Sequence, residues 1–485
     1  MKRNPTAAIT VITLLAALAL PVPLAAQHSR YKLIDIGTFG GPNSQVNGSP
    51  PPMINNRGVV AGLADTAEPC SYLGGFVSPA FRWEDGVLTN LGLLPGGCGS
   101  LPNAINSKGM IVGSGDIGVI DPLTGAPELH ADFRYKDQII DLGTFGGSNS
   151  LANDVNSRGQ VVGGAENTEP DPWNFGDLIG LPSPSAWHGF VWQKGVMRDL
   201  GTLGGPDSFG MFINDSGQIT GFSFIDSIPS PTTGIPTIDP FLWDGSRMID
   251  LGTLGGTVGF GNGLNNRGQV IGFSNIAGDV ASHAFIWERG VLTDIGTLGG
   301  DKSGAGWIND AGQVVGTADL ADGTHHAFVW RKGEMTDLGT IANDPCSNGG
   351  HINARGQAIG TSTDCHGTIL HIFLWENGSM VDLSAQVLPG SGFAFVEPIA
   401  INDVGEIVGN GVLPNGDVHA VVLKPCTTGC EAQVAAGQND AVATSQAVSN
   451  SKTAEQERTP STTLERMRNQ MRQHYRIPGV RAPKR

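Results

Sequence analysis

Residues 294–333 read DIGTLGGDKSGAGWINDAGQVVGTADLADGTHHAFVWRKG, and this stretch contains three phrases that recur through the chain. The first, D-[LI]-G-T-[LF]-G-G, begins at Asp294; the second, N-x-x-G with β-branched residues after it, begins at Asn309; the third, A-F-x-W, contains Phe328. An Asn and a Gly three residues apart are typical of a tight turn, and the Val-rich segment that follows is typical of a short strand. One unit therefore predicts four short strands joined by turns.

The three phrases recur in a fixed order, so the chain is a repeat protein. The first phrase, intact or drifted, begins at Asp35, Asn90, Asp141, Asp199, Asp250, Asp294, Asp337 and Asp382. The turn asparagine is found at Asn55, Asn106, Asn156, Asn214, Asn265, Asn309, Asn353 and Asn402. The third phrase contains Phe81, Phe133, Phe190, Phe241, Phe285, Phe328 and Phe373, with a degenerate eighth copy at Val421. Residues 31–425 thus give eight units of about 49 residues, which is the length class of β-propeller blades.

The two ends of the repeat region predict a closed ring. The last unit has no fourth strand of its own, and residues 31–37 form just such a strand before the first complete unit. An N-terminal strand that completes the last blade leaves no unpaired sheet edge. We therefore expect an all-β fold, a β-propeller of about eight four-stranded blades closed by an N-terminal strand, with a seven-bladed or irregular propeller as the alternative.

The phrases DLGTLGG, INDAGQVVG and HAFVW resemble those of the HAF-type extracellular repeat family of bacteria over roughly residues 31–425. The resemblance implies an exported repeat protein, and it brings with it no defined reaction or ligand. A more distant likeness to kelch-type and WD-type blades is an analogy of architecture.

The ends of the chain differ in composition from the repeats. Residues 1–26 have the pattern of a secretory signal peptide, with Lys2 and Arg3 before an uncharged apolar run from Ala7 to Leu20. We expect residues 27–430 to form the propeller. Residues 431–485 have the low-complexity composition of a mostly disordered tail, in which 462–476 has the pattern of a short helix. The predicted location is therefore the periplasm or the extracellular space.

Composition also restricts the partners. The formal net charge of −16 argues against nucleic acid as a partner. No segment after the signal peptide has 18 consecutive apolar residues, so we expect no membrane span, and we expect a monomer. The partner predicted for such a module is an extracellular glycan or protein.

Six cysteines in an exported chain predict disulfides. Positions in loops of the same face predict the pairs Cys70–Cys98 and Cys346–Cys365, and proximity just past the last strand predicts Cys426–Cys430. Binding to a metal is less favoured, because the histidines lie in the strand motif away from these thiols.

Connections alternate between the two faces of an antiparallel blade, and on one face they are long in units one to four. These long loops run over residues 63–79, 114–131, 164–187 and 222–239, and we expect them to form the ligand face. The third loop carries five candidate ligand-binding residues, Asp171, Trp173, Phe175, Asp177 and Trp187. Aromatic rings among carboxylates can stack on a sugar or grip a protein; alternatively, the rings pin the loop to its blade.

Catalytic signatures are absent from the sequence. The recurring Asp and His residues repeat around the ring, whereas a catalytic residue is normally unique, so they predict hydrogen bonds to turns and neighbouring strands. We therefore expect an exported non-enzymatic binding or scaffold module. A propeller-type glycan hydrolase or lyase, with a carboxylate pair from the long loops, is the alternative. We expect no metal and no cofactor, with calcium at loop carboxylates such as Asp207 and Asp301 as a lesser alternative.

Overall fold

The computed structural model describes residues 29–47, 52–122, 124–181, 183–390 and 392–426. The predicted signal peptide and the predicted tail lie outside the described residues.

The described chain is built almost wholly from β-strands. The strands of the first half are β1 (Tyr31–Asp35), β2 (Gly40–Gln45), β3 (Val60–Thr66), β4 (Ala80–Glu84), β5 (Val87–Asn90), β6 (Ser100–Ile105), β7 (Ile111–Ile120), β8 (Pro127–Tyr135), β9 (Gln138–Asp141), β10 (Ser150–Val155), β11 (Val161–Pro170), β12 (Ser185–Gln193), β13 (Val196–Asp199), β14 (Ser208–Ile213), β15 (Ile219–Pro229), β16 (Pro236–Trp243) and β17 (Met248–Asp250). The strands of the second half are β18 (Gly255–Leu264), β19 (Val270–Ile276), β20 (Ser282–Glu288), β21 (Val291–Gly296), β22 (Gly299–Ile308), β23 (Val314–Leu320), β24 (His325–Arg331), β25 (Glu334–Gly339), β26 (Cys346–Ile352), β27 (Ala358–Thr363), β28 (Ile369–Glu376), β29 (Ser379–Asp382), β30 (Ala394–Ile401), β31 (Ile407–Val412) and β32 (Val418–Pro425). The helix α1 spans Phe175–Ile179, and a 3₁₀ helix spans Ser384–Gln386.

These strands form eight four-stranded antiparallel blades, which confirms the predicted β-propeller. Seven blades follow chain order from β2–β5 to β26–β29, each with its turn asparagine between the first and second strands. The fourth and fifth blades join into one eight-stranded sheet through a single parallel pair, Ile238 and Val258. The other six blades are separate four-stranded sheets.

The eighth blade confirms the predicted closure. It contains β30, β31 and β32, and β1 supplies its fourth strand. The pairing of β1 with β32 is antiparallel and runs from Tyr31 opposite Pro425 to Asp35 opposite Val421. Both ends of the described propeller therefore lie in one sheet, and the edge that β32 would expose is paired.

The turn asparagines hold neighbouring blades together in a closed circle. Asn309 is typical: its Oδ1 accepts the backbone N–H groups of Ala311 and Gln313, both at 3.0 Å. Its Nδ2 donates to the backbone carbonyl of Asn353 in the next blade, at 2.8 Å. The same inter-blade bond is made by Asn55, Asn106, Asn156, Asn214, Asn265, Asn309, Asn353 and Asn402, the last of which donates back to Asn55. We call these eight residues the asparagine ring.

Serines at the start of the inner strands join the blades at a second level. The hydroxyl of Ser150 accepts the N–H of Ala131 in the preceding blade at 2.9 Å and donates to the carbonyl of Gly143 at 2.7 Å. Equivalent N–H groups of the preceding blade donate to Ser44, Ser208, Ser303 and Ser347. Because these donors and serines are buried or half-buried, each bond satisfies groups that folding removes from water.

The recurring His and Asp side chains pair with each other inside a blade, as the repeat predicted. The Nδ1 atom of His lies 2.7–3.0 Å from a carboxylate oxygen in His130–Asp141, His188–Asp199, His283–Asp294, His326–Asp337 and His419–Asp35. The same carboxylates accept the N–H of the glycine two residues later, as Asp294 does from Gly296 at 2.7 Å. His371 departs from this rule and contacts Asp344 at 2.7 Å.

The prediction of long loops in units two to four was wrong in part. Much of each predicted loop is strand, because β7, β11 and β15 continue for 10 or 11 residues. Each extension pairs again with the third strand of its blade beyond a register shift, as Ile120 does with Pro127. The long-loop face, as we call this side of the ring, is therefore built from projecting hairpins. The other side, with the asparagine turns, is the turn face.

Candidate functional site

A cavity of about 410 Å³ opens on the long-loop face between the first and second blades. We call it the loop pocket. Its apolar lining comes from Leu63, Leu73, Phe76, Leu101, Pro127 and Leu129, and its polar lining from Asn43, Asp65, Ser78, Ser100, Ser114 and Asp116. Mostly apolar cavities of this size with a few polar groups are typical of binding sites.

The second blade carries small side chains at a position of the inner strands where two other blades carry phenylalanine rings. In the fourth and fifth blades, the second pair of the two inner strands is Phe209 with Phe222 and Phe260 with Phe273. The same register position of the second blade holds Leu101 and Ser114. Leu101 and Ser114 both line the pocket, so this part of its wall contains no aromatic ring.

A disulfide forms one wall of the pocket. Cys70 and Cys98 are bonded, as the sequence predicted, and both line the pocket. Cys346 and Cys365 are likewise bonded, which confirms the second predicted pair. Cys426 is also disulfide-bonded, and Cys430, its predicted partner, lies outside the described residues. Disulfides of this kind are typical of oxidising compartments.

The Cys70–Cys98 bond should stabilise both the propeller and the pocket. It closes a loop with a sequence separation of 28, for which chain entropy predicts about 3.5 kcal/mol. In urea titrations, we expect the free energy of unfolding of the Cys70→Ser/Cys98→Ser double variant to be lower by about that amount. The Cys346→Ser/Cys365→Ser variant is the matched control. It should lose a similar stability and keep any ligand affinity of the loop pocket, and equal loss of affinity in both variants would contradict a local role.

The two carboxylates of the pocket are occupied by bonds that fix its loops. Asp65 accepts hydrogen bonds from the backbone N–H and the side-chain amide of Asn43, at 3.2 and 3.1 Å, and from the hydroxyl of Ser78. Asp116 accepts the N–H groups of Cys98 and Gly99, at 3.1 and 2.6 Å. Both side chains therefore position loop backbone around the cavity.

Tyr72 adds to the same network, because its hydroxyl donates to Asp116. Burial and this bond to a carboxylate raise the pKa of Tyr72, so the phenol stays protonated and keeps donating at neutral pH. The loop that carries Tyr72 is thereby tied to the second blade.

Ser114 differs from the other hydroxyl groups of the pocket. Ser78 donates to Asp65, and Ser100 accepts a hydrogen bond from the buried guanidinium of Arg134 at 2.9 Å. The hydroxyl of Ser114 is buried and has no hydrogen-bond partner among the described residues. A buried hydroxyl without a partner costs free energy, which a ligand with a polar group can recover.

Exposed apolar side chains occur in the pocket lining and on the neighbouring β7–β8 hairpin, where Ile120 pairs with the lining residue Pro127. Phe76, at the tip of the disulfide-closed loop, is 40% exposed, and Val119 and Ile120, at the end of β7, are 44% and 39% exposed. Gly74 and Gly75 precede Phe76 with φ values of 74° and 73°, so the tip follows a path that residues with a side chain rarely adopt. Apolar groups gathered beside a pocket are a common feature of protein-binding surfaces.

The five residues predicted to bind ligand lie in the third blade, away from this pocket. Phe175, in α1, and Trp187, in β12, have no exposed surface, and Trp173 packs half-buried against the same hydrophobic cluster. Asp171 accepts the N–H groups of Trp173, at 2.7 Å, and of Phe175. Asp177 lies in α1. The three rings pack the loop onto its blade, which is the alternative stated above.

Among the described residues, there is no group of three or more His, Cys, Asp or Glu side chains with the geometry to hold a metal ion. The same part of the chain contains no helix long and apolar enough to cross a membrane.

No protein-family model and no curated protein matches the chain. Similar solved structures include the Pyrococcus horikoshii acylaminoacyl peptidase, at 13% identity over 78% of this chain and 59% of that one, with a TM-score of 0.41. A puromycin-hydrolysing peptidase of Mycobacterium tuberculosis matches at 12% identity over 81% of this chain and 55% of that one, with a TM-score of 0.38. YCF48 bound to D1 peptide matches at 9% identity over 83% and 97%, with a TM-score of 0.36. The chain thus spans less than two thirds of both peptidases.

Proposed function

We propose that this protein is an exported, non-enzymatic binding module of the HAF-repeat type, whose loop pocket receives an apolar side chain of an extracellular protein partner. The observation that carries the proposal is the pocket itself, a cavity of about 410 Å³ with an apolar lining. Export is supported by the disulfides and by the signal-peptide pattern of residues 1–26.

The chemistry of the lining favours a protein over a glycan. A sugar presents many hydroxyl groups, each of which needs a hydrogen-bond partner when it leaves water. The pocket offers leucine side chains, Phe76 and the hydroxyl of Ser114, while Asp65 and Asp116 bond to loop backbone and neighbouring side chains. An aliphatic or aromatic side chain fits this lining, and the exposed Val119 and Ile120 provide apolar surface beside it.

The occupied carboxylates also favour binding over hydrolysis. A general acid or base must reach the proton that it transfers. Asp116 is 2% exposed and Asp65 is 8% exposed, so neither carboxylate offers an oxygen that a substrate can reach. Hydrolysis is therefore the less favoured function, and the product analysis below tests it.

Filling the pocket provides the test. Ser114→Phe places a ring opposite Leu101, at the position that Phe222 holds in the fourth blade, and it should fill part of the cavity while leaving the fold intact. Peptides selected from a random displayed library against the full-length exported protein should carry an aliphatic or aromatic anchor. We expect Ser114→Phe to weaken their binding at least tenfold, about 1.4 kcal/mol, in calorimetric titrations.

Ile228→Ala is the matched control, because Ile228 is an apolar residue of the same face, 72% exposed and outside the pocket. It should leave the affinity unchanged. Failure to select any peptide, or equal losses in both variants, would contradict the proposal. A parallel glycan array with analysis of released products covers the alternative, since product formation would show an enzyme.

A further inference from the structure

A second cavity, of about 320 Å³, lies on the propeller axis at the turn face, opposite the loop pocket. We call it the axial cavity. The eight residues of the asparagine ring line it, so every blade contributes to its wall. The residues just before those asparagines add an aliphatic band, made of Ile54, Ile105, Val155, Ile213, Leu264, Ile308, Ile352 and Ile401.

The position two residues before each ring asparagine is mostly apolar. It holds Met53, Ala104, Asp154, Phe212, Gly263, Trp307, His351 and Ala400. Its only two ionisable side chains are Asp154 and His351, and both line the axial cavity. Asp154 lies in the third blade and His351 in the seventh, so they face the axis from opposite sides of an eight-bladed ring.

His351 is a buried polar group without a partner. It is 6% exposed, and no group among the described residues bonds to either of its ring nitrogens. Its ring stacks on Trp307 with 4.7 Å between the centroids, and Trp307 in turn meets Phe212 edge-on at 6.0 Å. Burial lowers the pKa of His351 to about 3, so the ring is a neutral donor and acceptor. Buried polar groups are normally hydrogen-bonded, whereas the His351 ring is held by stacking and makes no hydrogen bond to the described residues.

Each of these two side chains has a carboxylate of the cavity rim near it. The charge of Asp215 acts on Asp154, and the charge of Asp403 acts on His351. Asp310 is the third acidic residue of the rim, and its carboxylate accepts from Asn266. No Lys or Arg is among the described residues that line the cavity. Its two opposite ends are therefore acidic, and the wall between them is aliphatic.

We propose that the axial cavity binds a short aliphatic polyamine, with one ammonium group at Asp154 and Asp215 and the other at His351 and Asp403. An ammonium is a donor without an acceptor, which matches two carboxylates at one end and an imidazole acceptor beside a carboxylate at the other. The methylene chain lies against the isoleucine band. The lysine side chain of a peptide also has a methylene chain that ends in an ammonium group, but it has only one such group.

Calorimetric titration of the full-length exported protein with spermidine and with putrescine tests the proposal. We expect saturable binding of one molecule per chain. At pH 8, above the pKa of about 7 that burial gives Asp154, Asp154→Asn should weaken it about tenfold through loss of one charge pair, and His351→Leu should weaken it about threefold to fivefold through loss of one hydrogen bond. A lysine-containing peptide should bind more weakly than the diamine, and 1,4-butanediol, which has the same chain without charge, should not bind.

Asp301→Asn is the matched control, because Asp301 is an exposed carboxylate outside the axial cavity. It should change the affinity less than twofold. If Asp154→Asn does not fold, Asp215→Asn removes the exposed rim charge of the same end and should also weaken binding. Equal effects of Asp301→Asn and either of these variants would show attraction to the overall negative charge and overturn the proposal, as would the absence of saturable binding. Tighter binding of the lysine peptide than of spermidine would overturn the choice of a free polyamine.

Discussion

Replacing one asparagine of the ring, Asn309→Ala, is expected to lower the free energy of unfolding by about 3 kcal/mol. The side chain is 6% exposed and accepts two backbone N–H groups of its own turn, from Ala311 and Gln313. It also donates to the carbonyl of Asn353 in the next blade. Alanine leaves these buried groups without partners, and each orphaned group costs about 1–3 kcal/mol before the structure relaxes.

Urea unfolding of the wild type and of two variants measures this effect. Asn266→Ala is the matched control, since Asn266 is the exposed neighbour of a ring asparagine and also bonds across blades. It accepts the N–H of Asp215 and donates to Asp310, both at 3.0 Å. Water can replace these bonds, so the loss should stay below about 1 kcal/mol. Similar losses in the two variants would show that burial within the ring does not matter.

The architecture could be predicted because each unit repeats the same sequence pattern. N-x-x-G gives a turn for a local reason: in the fifth copy, Gly268 closes the turn to the carbonyl of Asn265 and has a φ of 75°. The closing strand could be predicted from the ends of the repeat region, because a missing outer strand at one end matches an extra strand at the other. Both inferences need only chain order and the requirement to pair a sheet edge.

The contacts between blades could not be predicted in the same way. Asn is expected to cap its own turn, and nothing local indicates that its Nδ2 reaches the next blade. The asparagine ring depends on the distance between inner strands, which the closed ring sets. The serines that receive inter-blade bonds, such as Ser150 and Ser303, were missed for the same reason, although their recurrence shortly after the Gly-Gly pair was a usable signal.

The sequence pattern did not predict the loop pocket, because aromatic residues in the longest predicted loop favoured the third blade instead. Trp187 and Phe175 are large apolar residues, which are usually buried in the core. Side-chain size alone does not locate the pocket. The second blade has Leu101 and Ser114 where the fourth has Phe209 and Phe222. The third and seventh blades also lack both rings at this position, so the pocket depends on how the loops of the first two blades meet.

The propeller is expected to be most stable in mildly acidic solution, near pH 5, and to lose stability steadily towards pH 8. Burial raises the pKa of Asp154 to about 7 and that of Asp239 to about 7, the latter also through the charge of Asp250. Burial, with the nearby charge of Asp171, raises the pKa of Asp207 to about 8. Each folded carboxyl binds its proton more tightly than the unfolded chain does, so unfolding is favoured as pH rises from about 4 to these values.

The His188–Asp199 pair sets the lower limit of this window. The hydrogen bond that His188 donates to Asp199 raises the pKa of His188, so that pair also loses stability as pH rises through the pKa of the folded histidine. Burial opposes ionisation of Asp199, but the bonds from His188 and Gly201 outweigh it and lower the pKa of Asp199. This contribution is present above the ordinary Asp value near 4 and is lost below it. The buried carboxyl groups and the His188–Asp199 pair therefore place the maximum of the free energy of unfolding between roughly pH 4.5 and pH 6.

Asp207→Asn isolates the largest of these effects. Asp207 has no exposed surface; one oxygen accepts the N–H of Trp187 at 2.8 Å, and the other has no partner among the described residues. Asn149 holds the same position in the third blade, where its oxygen accepts the N–H of Leu129 and its amide donates to Glu166, both at 2.9 Å.

An asparagine at position 207 can keep the bond to Trp187 and place an uncharged amide towards Asp171. We expect the variant to gain stability at pH 8 and almost none at pH 4, since each unit of pKa difference between the folded and unfolded chain is worth about 1.4 kcal/mol. Thermal unfolding from pH 4 to pH 8 should therefore give a flatter profile for Asp207→Asn than for the wild type or for the exposed control Asp301→Asn. A profile parallel to that of the wild type would mean that Asp207 is ionised in the folded chain and that another group gives the pH dependence.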